Sequence, residues 1–437
     1  MLRAFFSTIY FMEIAKLHQL FLQHPTVCTD TRKAKIGSIF FALKGENFDA
    51  NYFAKDAIKK GCELAVVDDQ SAVLSEQYIL VDDVLETLQN LANFHRQYCN
   101  TKIIGITGTN GKTTTKELIK SVLETTYDTL ATEGNLNNHI GVPLTLLRLT
   151  PATEIAVIEM GANHRHEIAE LCAIAEPDYG IITNVGKGHI EGFGSLEGVI
   201  KTKTELYEAV EKKNGTLFVN ADNEILSEKA SATKCHLYSY GSEHAQVTGK
   251  FIAASPFLNM EIENVELQTK LLGAYNFENI LAAFAIGKFF DVPKNKNLNA
   301  LANYVPKNNR SQLIETKYNT ILLDAYNANP TSMKLSILNF IQTEYPHKML
   351  ILGDMLELGH LSETAHEEII TLIKDKGLAP NTWLVGTHFL KRKTDSFLYF
   401  NDAEQVIDYL SKNPIRGNQI LIKGSRGIKL ETLVKML

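Results

Sequence analysis

Basic charge is not in surplus: 44 Lys and Arg stand against 50 Asp and Glu, for a net charge of -6. A nucleic-acid backbone is therefore not the expected partner. Cysteine is scarce. Cys28, Cys62, Cys99, Cys172 and Cys235 form no CxxC pair and are odd in number, so a reduced, cytoplasmic protein is the simplest reading. No apolar run approaches the length needed to cross a bilayer, and there are no repeats or low-complexity tracts. What remains is an ordinary globular balance, 45% hydrophobic and 22% charged over 437 residues. Such a chain fits two to four domains, each with a full core.

The first residues, MLRAFFSTIYF, are apolar but short and lack a small-residue cleavage site. Residues 1–11 are expected to be an extension or the product of an upstream start, with Met12 an alternative start. Beyond them, short apolar runs (Ile39–Leu43, Leu64–Val67, Tyr78–Val81) alternate with helical stretches, and the helical pattern Val84–Tyr98 leads to a strand at Lys102–Ile106. Further runs at Ile155–Ile158, Gly180–Thr183 and Thr216–Val219 predict a parallel sheet wrapped by helices, closed by an apolar helix over Asn276–Phe290. Val292–Asn309, rich in Asn and Lys and with two prolines, reads as a linker. Strands at Thr320–Leu323, Met349–Leu352, Trp383–Val385 and Gln419–Ile422 predict a Rossmann-like third region. The expected fold class is α/β in three domains.

The strongest chemical signal is Gly105-Ile106-Thr107-Gly108-Thr109-Asn110-Gly111-Lys112-Thr113-Thr114-Thr115, which follows a strand and opens a helix. Glycines let backbone N–H groups face phosphate oxygens, Lys112 supplies a cation, and Thr113 can ligate Mg²⁺. Ile106 stands where the strict GxxxxGK[ST] pattern has glycine. Other residues sit where parallel strands deliver ligand-binding groups. Glu159 follows the strand Ile155–Ile158, and His189 lies in the glycine-rich loop after Gly180–Thr183. Taken alone, Glu159 reads equally well as a solvated acid and His189 as a packed or solvated histidine. Lys203 alone reads as a surface lysine. Asn276 and Asn279, three apart, share a helix face and are equally well explained as caps.

TGTNGKTTT resembles the phosphate loop of the Mur ligases and the related folylpolyglutamate synthases. Glu159-Met160-Gly161-Ala162-Asn163 resembles a separate motif of the Mur ligases, and the loop bearing His189 resembles the one that carries their metal-binding histidine. Gly134–Pro143, Asp324–Pro330, Leu352–Gly359 and Lys423–Gly427 resemble, in that order, the branch of the Mur ligase family that takes D-alanyl-D-alanine. The Asp-Asn-Pro-Arg motif of the diaminopimelate-adding relative is absent. Thr29-Asp30-Thr31-Arg32 with Phe40–Gly45 is similar to the family's uridine-nucleotide domain, which a folylpolyglutamate synthase lacks; Thr31 stands where serine is usual.

The resemblance implies an N-terminal UDP-substrate domain (1–99), a central ATP-binding domain (100–308) and a C-terminal Rossmann-like domain (309–437). It implies ATP and two Mg²⁺ ions, with Thr113, Glu159, His189 and a CO₂-derived carbamate on Lys203 as metal ligands. Lys112, Glu159, His189 and Lys203 would carry the chemistry. The nucleotide would meet Gly108, Thr109, Asn110, Gly111, Lys112, Thr113 and Thr114, with Asn276 near adenine supported by Asn279, Arg310 on the phosphates and Asp324 near the ribose. UDP-N-acetylmuramoyl-tripeptide and D-alanyl-D-alanine would meet Thr29, Asp30, Thr31, Arg32, Lys44, Gly45, Asn135, Asn137, Asn138, Tyr326, Asn327, Asn329 and Ser425. Carbamate formation requires a neutral amine, hence a lysine pKa depressed by burial or nearby cations. A monomer is expected. The alternatives are a Mur ligase adding a single amino acid and a phosphate-loop regulator without catalysis.

Overall fold

Apolar runs flanked by helices produce strands buried on both faces, and that pattern organises the parallel sheets. The computed structural model describes residues 13–186, 190–254, 257–306, 309–343 and 346–437. These fall into two compact units. One comprises residues up to Gly105 with Tyr127–Gly161 and Ile168–Tyr179; the other comprises Ile106–Thr126, Ala162–Glu167 and Gly180–Leu437.

In the first unit, strands Val27–Cys28, Ile39–Phe41, Leu64–Val67 and Tyr78–Leu80 form an all-parallel sheet in that order. Phe40, Ala42, Ala54, Ala57, Ala65 and Val67 pack one of its faces. Helix Val84–Cys99 starts where Asp83 accepts from the Glu86 N–H at 2.8 Å and stops at Asn100, whose φ of 53° is left-handed. Its buried residues Val84, Leu88, Leu91, Ala92, His95 and Cys99 keep helical spacing. Strand Thr129–Ala131 pairs parallel with Ile155–Glu159, which ends on the carboxylate anticipated from the sequence.

In the second unit, helix Lys112–Leu123 begins directly after the phosphate loop. Strands Thr216–Asn220, His236–Gly241 and Val247–Ala254 pair parallel. Phe257–Ile262 and Val265–Leu272 then extend them as an antiparallel meander. Helix Phe277–Phe289 is buried continuously from Asn279 to Gly287, as an all-round apolar sequence requires. A six-stranded sheet follows, in the order Gln312–Glu315, Thr320–Asp324, Gln419–Lys423, Lys348–Gly353, Thr382–Val385, Leu398–Phe400, parallel except for its first pair. Alternation along its strands separates two cores. Leu350, Leu352 and Leu421 face one; Met349, Ile351, Ile420 and Ile422 face the other.

One expectation fails locally. The stretch read as a linker, Val292–Asn309, contains the helix Lys294–Asn303. Its apolar stripe is thin, but Leu301 is fully buried and the buried Asn297 amide donates to Phe284 O at 2.9 Å. Packing, not propensity, makes this helix. Among the described residues no helix is long and apolar enough to cross a membrane.

Candidate active site

Strand Lys102–Thr107 delivers the chain into a loop whose glycines are sterically required. Gly108 has φ +143°, and a Cβ there would lie 2.0 Å from Thr183 Oγ1. Gly111 has φ +79°, and its Cβ would meet Asn279 Oδ1 at 2.7 Å. Both conformations are ones that side-chain-bearing residues rarely adopt. Gly111 is also the N-cap of helix Lys112–Leu123 and supplies no capping side chain. A helix N-terminus of this kind favours an anion. The Lys112 ammonium folds back over the loop and donates to Gly108 O (2.6 Å) and Thr109 O (3.3 Å).

Residues of the next strand end hold this loop. Thr183 Oγ1 donates to Asn110 O at 2.6 Å. Asn184 brackets the same peptide, its Oδ1 accepting from Asn110 N (2.9 Å) and its Nδ2 donating to Asn110 O (3.1 Å). Sequence reasoning singled out that segment for His189 and missed Thr183 and Asn184. Their position directly after a strand was the available signal. His189 itself lies outside the described residues.

Asn279 Oδ1 accepts from Thr115 Oγ1 at 3.0 Å, and its Nδ2 donates to Asn276 Oδ1 at 2.9 Å. Asn276 in turn donates to Leu272 O at 2.9 Å. The expected asparagine pair is therefore joined to itself and to the phosphate-loop helix.

Lys203, on helix Leu196–Lys212, is only 2% exposed, and its ammonium lies 5.4 Å from the centre of the Phe193 ring. Burial, then the Lys112 cation, hold its pKa well below the usual lysine value, against the opposing pull of Glu167 and Glu205. The shift is in the direction that carbamate formation requires.

Glu159, in the other unit, is 1% exposed. Asn137 Nδ2 donates to its Oε1 at 2.9 Å, and its backbone N–H donates to Thr132 Oγ1 at 2.9 Å. Asn138 Oδ1 accepts from Gly141 N at 2.9 Å, starting the helix Gly141–Leu146, and Asn135 O accepts from Asn137 N at 2.8 Å. Thr132 was not anticipated.

Among the described residues no group of three or more His, Cys, Asp or Glu side chains is gathered to hold a metal. Magnesium does not need one. It takes one or two carboxylates, with waters and substrate phosphates completing its oxygen shell. The Thr113 hydroxyl and a carbamate on Lys203 are oxygen donors of that kind in one unit, and the Glu159 carboxylate is one in the other, so the donor types present fit the ion.

Comparison with known proteins agrees with this geometry. Residues 106–287 match the Mur ligase middle domain, and residues 309–426 match the Mur ligase, glutamate ligase domain. The UDP-N-acetylmuramoyl-tripeptide--D-alanyl-D-alanine ligase of Bacillus subtilis is 38% identical over 427 residues, covering 94% of this chain and 92% of the relative. This chain belongs to the Mur ligase family. The enzyme of the same name from Escherichia coli is 35% identical over 94% of this chain and 93% of its own. Among solved structures, MurF from Acinetobacter baumannii superposes with a TM-score of 0.84 at 28% identity, covering 95% of this chain and 97% of that one. MurF ligase from Thermotoga maritima, in complex with ADP, gives 0.82 at 26% identity, covering 95% and 97%.

The remaining anticipated residues of this Mur ligase are dispersed among several contacts. Asp30 accepts from Arg32 N (2.9 Å) and pairs with the exposed Arg32 guanidinium (2.8 Å), whose hydrogen bonds hold its carboxyl down to about 2. Thr29 and Thr31 flank it, both half-buried. Lys44 pairs with Asp68 at 2.8 Å, and Asn51 Nδ2 donates to the same Asp68 oxygen at 2.7 Å. Asp68 and Asn51 were not anticipated. The Phe48 ring covers Gly45, where a Cβ would lie 2.5 Å from it.

At the C-terminal sheet, Asp324 and Lys423 end adjacent parallel strands in direct register and form an ion pair at 2.5 Å. Ser336 Oγ donates to Asp324 at 3.0 Å. Arg310 stacks on Tyr326, its guanidinium carbon 3.8 Å from the ring centre. Asn327 Oδ1 accepts from Ala328 N at 2.9 Å. Ser425 is buried, and its hydroxyl accepts from Leu356 N at 2.9 Å. Asn329 caps helix Pro330–Gln342.

Proposed function

We propose that the chain joins D-alanyl-D-alanine to UDP-N-acetylmuramoyl-tripeptide with ATP, giving the UDP-N-acetylmuramoyl-pentapeptide, ADP and phosphate, in peptidoglycan precursor synthesis. One observation carries the reading: a chain matching 92% of a relative with that named activity keeps a strand–loop–helix phosphate cradle whose Gly108 and Gly111 have no room for a Cβ. The division into domains 1–99, 100–308 and 309–437, a monomeric state and a cytoplasmic location belong to the same proposal.

A carboxylate is too poor an electrophile for an amine, so it must first be activated. The tripeptide's terminal carboxylate attacks the γ-phosphorus of ATP, ADP departs, and an acyl phosphate results. The dipeptide's neutral amine then attacks the acyl carbon, the tetrahedral intermediate expels phosphate, and the amine proton is lost. Lys112 supplies a fixed cation for the phosphate oxygens, and the helix N-terminus adds its dipole. Magnesium, when bound, neutralises the crowded phosphate oxygens; we assign Thr113, Glu159, His189 and carbamylated Lys203 to holding it. Asn276 with Asn279, Arg310 and Asp324 are assigned to the nucleotide. Thr29–Arg32, Lys44 and Gly45 are assigned to the uridine nucleotide. Asn135, Asn137, Asn138, Tyr326, Asn327, Asn329 and Ser425 are assigned to the peptidic substrates. Asn137 also donates to Glu159, and Ser425 to the carbonyl of Ala328.

Acceptor choice tests the proposal. With ATP, magnesium and UDP-N-acetylmuramoyl-tripeptide, phosphate release is expected with D-alanyl-D-alanine and not with single amino acids. A preference for a single amino acid would overturn it in favour of another Mur ligase activity.

A further inference from the structure

Asn110 is clamped at its backbone: its N–H donates to Asn184 Oδ1 and its carbonyl accepts from Thr183 and Asn184. Only its side chain is left to respond to a more distant group. That side chain accepts a hydrogen bond from Asn329 Nδ2 at 2.8 Å, across 219 residues of sequence. The orientation of the Asn329 amide is fixed independently. Its Oδ1 accepts from Ser332 N at 2.8 Å, and its backbone N–H donates to Ser332 Oγ at 3.1 Å, a complete capping box. The oxygen is thereby committed to the helix, and the nitrogen must face Asn110. Ser425 and Lys423 hold the same loop from the neighbouring strand, through Ala328 O (3.5 Å) and Asn327 O (3.4 Å). The loop assigned to the dipeptide is therefore tied by one directional bond to the loop assigned to ATP phosphates.

We propose that the Asn329–Asn110 hydrogen bond couples the two loops, so that nucleotide and dipeptide each strengthen the other's binding. Asn329 acts as a positioning residue: it sets the phosphate loop through Asn110. A hydrogen bond weakens steeply once its distance or angle is disturbed, so displacement of either loop breaks this link. Coupling between binding sites is reciprocal, so the same factor must appear whichever ligand is added first. A net contribution typical of one hydrogen bond corresponds to a coupling factor of about 2- to 10-fold. The inference rests on the ligase reading given above.

The test uses the full chain, its Asn329→Ser and Asn110→Ala variants, and the double variant. Serine retains an N-cap oxygen but cannot reach Asn110, so the cap and the link are separated. Affinity for a non-hydrolysable ATP analogue is titrated with and without D-alanyl-D-alanine, and turnover is followed by phosphate release. The parent is expected to bind the analogue about 2- to 10-fold more tightly with dipeptide present. That ratio falls to about 1 in either single variant, the double variant loses nothing further, and the melting temperature of Asn329→Ser stays near the parent's. An unchanged ratio in Asn329→Ser, or losses that simply multiply in the double variant, overturns the coupling alone. A parent that binds nucleotide but shows no dipeptide-dependent turnover overturns the ligase reading and the coupling with it.

Discussion

Removing the carboxylate of Asp324 separates a structural role from the nucleotide role assigned to it. Lys423 is 2% exposed, and its ammonium rests on Asp324 Oδ2 at 2.5 Å, with Asn327 O, at 3.4 Å, as a distant second acceptor. In Asp324→Ala that ammonium stays buried with one long hydrogen bond. Breaking one side of a buried pair costs about 3–5 kcal/mol. The Asp324 side chain retains 16% exposure, so water can reach the vacated position and the lower end, about 3 kcal/mol, applies. For the C-terminal domain proposed above, roughly 130 residues, each kcal/mol moves the melting point by about 3–5 °C, so a drop of about 9–15 °C is expected by calorimetry. Adding Lys423→Met removes the stranded charge at nearly constant volume, and the pair variant should recover most of the loss. An Asp324→Ala protein melting within about 2 °C of the parent would refute the reasoning. So would a double variant no more stable than the single one.

Gly108→Ala forces a Cβ onto Thr183 Oγ1 at a left-handed φ, so the KM for ATP should rise by about 10-fold or more; an unchanged KM would show that the loop conformation is not required. Lys203→Met should lower kcat by about 100-fold while melting no lower than the parent, because it removes a buried amine and keeps the stem volume. Full activity in that variant would remove Lys203 from the mechanism. Acid should destabilise the protein. His366 Nε2 accepts from Met355 N (3.1 Å) and its Nδ1 donates to Ser362 O (2.7 Å), so it is neutral, and burial holds its pKa below 6.5. His18 and His95 are likewise lowered, chiefly by burial. The unfolded chain takes up these protons near 6.5 while the folded chain resists them. Their contribution is thus complete above that pH and lost as pH falls toward the folded pKa values. Melting curves from pH 7.5 to 5.5 should drop accordingly, and less so for His366→Gln.

Local chemistry was legible in the sequence, and long-range pairing was not. The phosphate loop could be read because glycine, lysine and threonine between a strand and a helix have few alternative explanations. The strands ending at Glu159 and Asp324 and the buried helix Phe277–Phe289 followed from apolar runs. By contrast, the strands Val247–Ala254, Phe257–Ile262 and Val265–Leu272 were missed: the first has no regular alternation, and the buried positions of the other two (Leu258, Met260, Ile262; Leu267, Thr269, Leu271) are interleaved with polar residues and form no continuous apolar run. The Lys294–Asn303 helix lacked a strong stripe because its packing, not its pattern, holds it. Lys423 as the partner of Asp324, and Asn329 as the partner of Asn110, are 99 and 219 residues away in sequence. No local periodicity encodes such pairs. They arise when separate strands end at one edge of a sheet or when a helix cap meets a distant loop. Thr183 and Asn184 escaped for a related reason: a loop's support is visible only once its neighbouring strand is known.

The most direct measurement supplies the purified chain with ATP, magnesium, UDP-N-acetylmuramoyl-tripeptide and D-alanyl-D-alanine, and follows nucleotide and peptide products together. ADP, phosphate and the pentapeptide nucleotide should appear in equal amounts. Release of AMP and pyrophosphate, or no nucleotide turnover with both peptidic substrates present, would contradict the acyl-phosphate route on which the account depends.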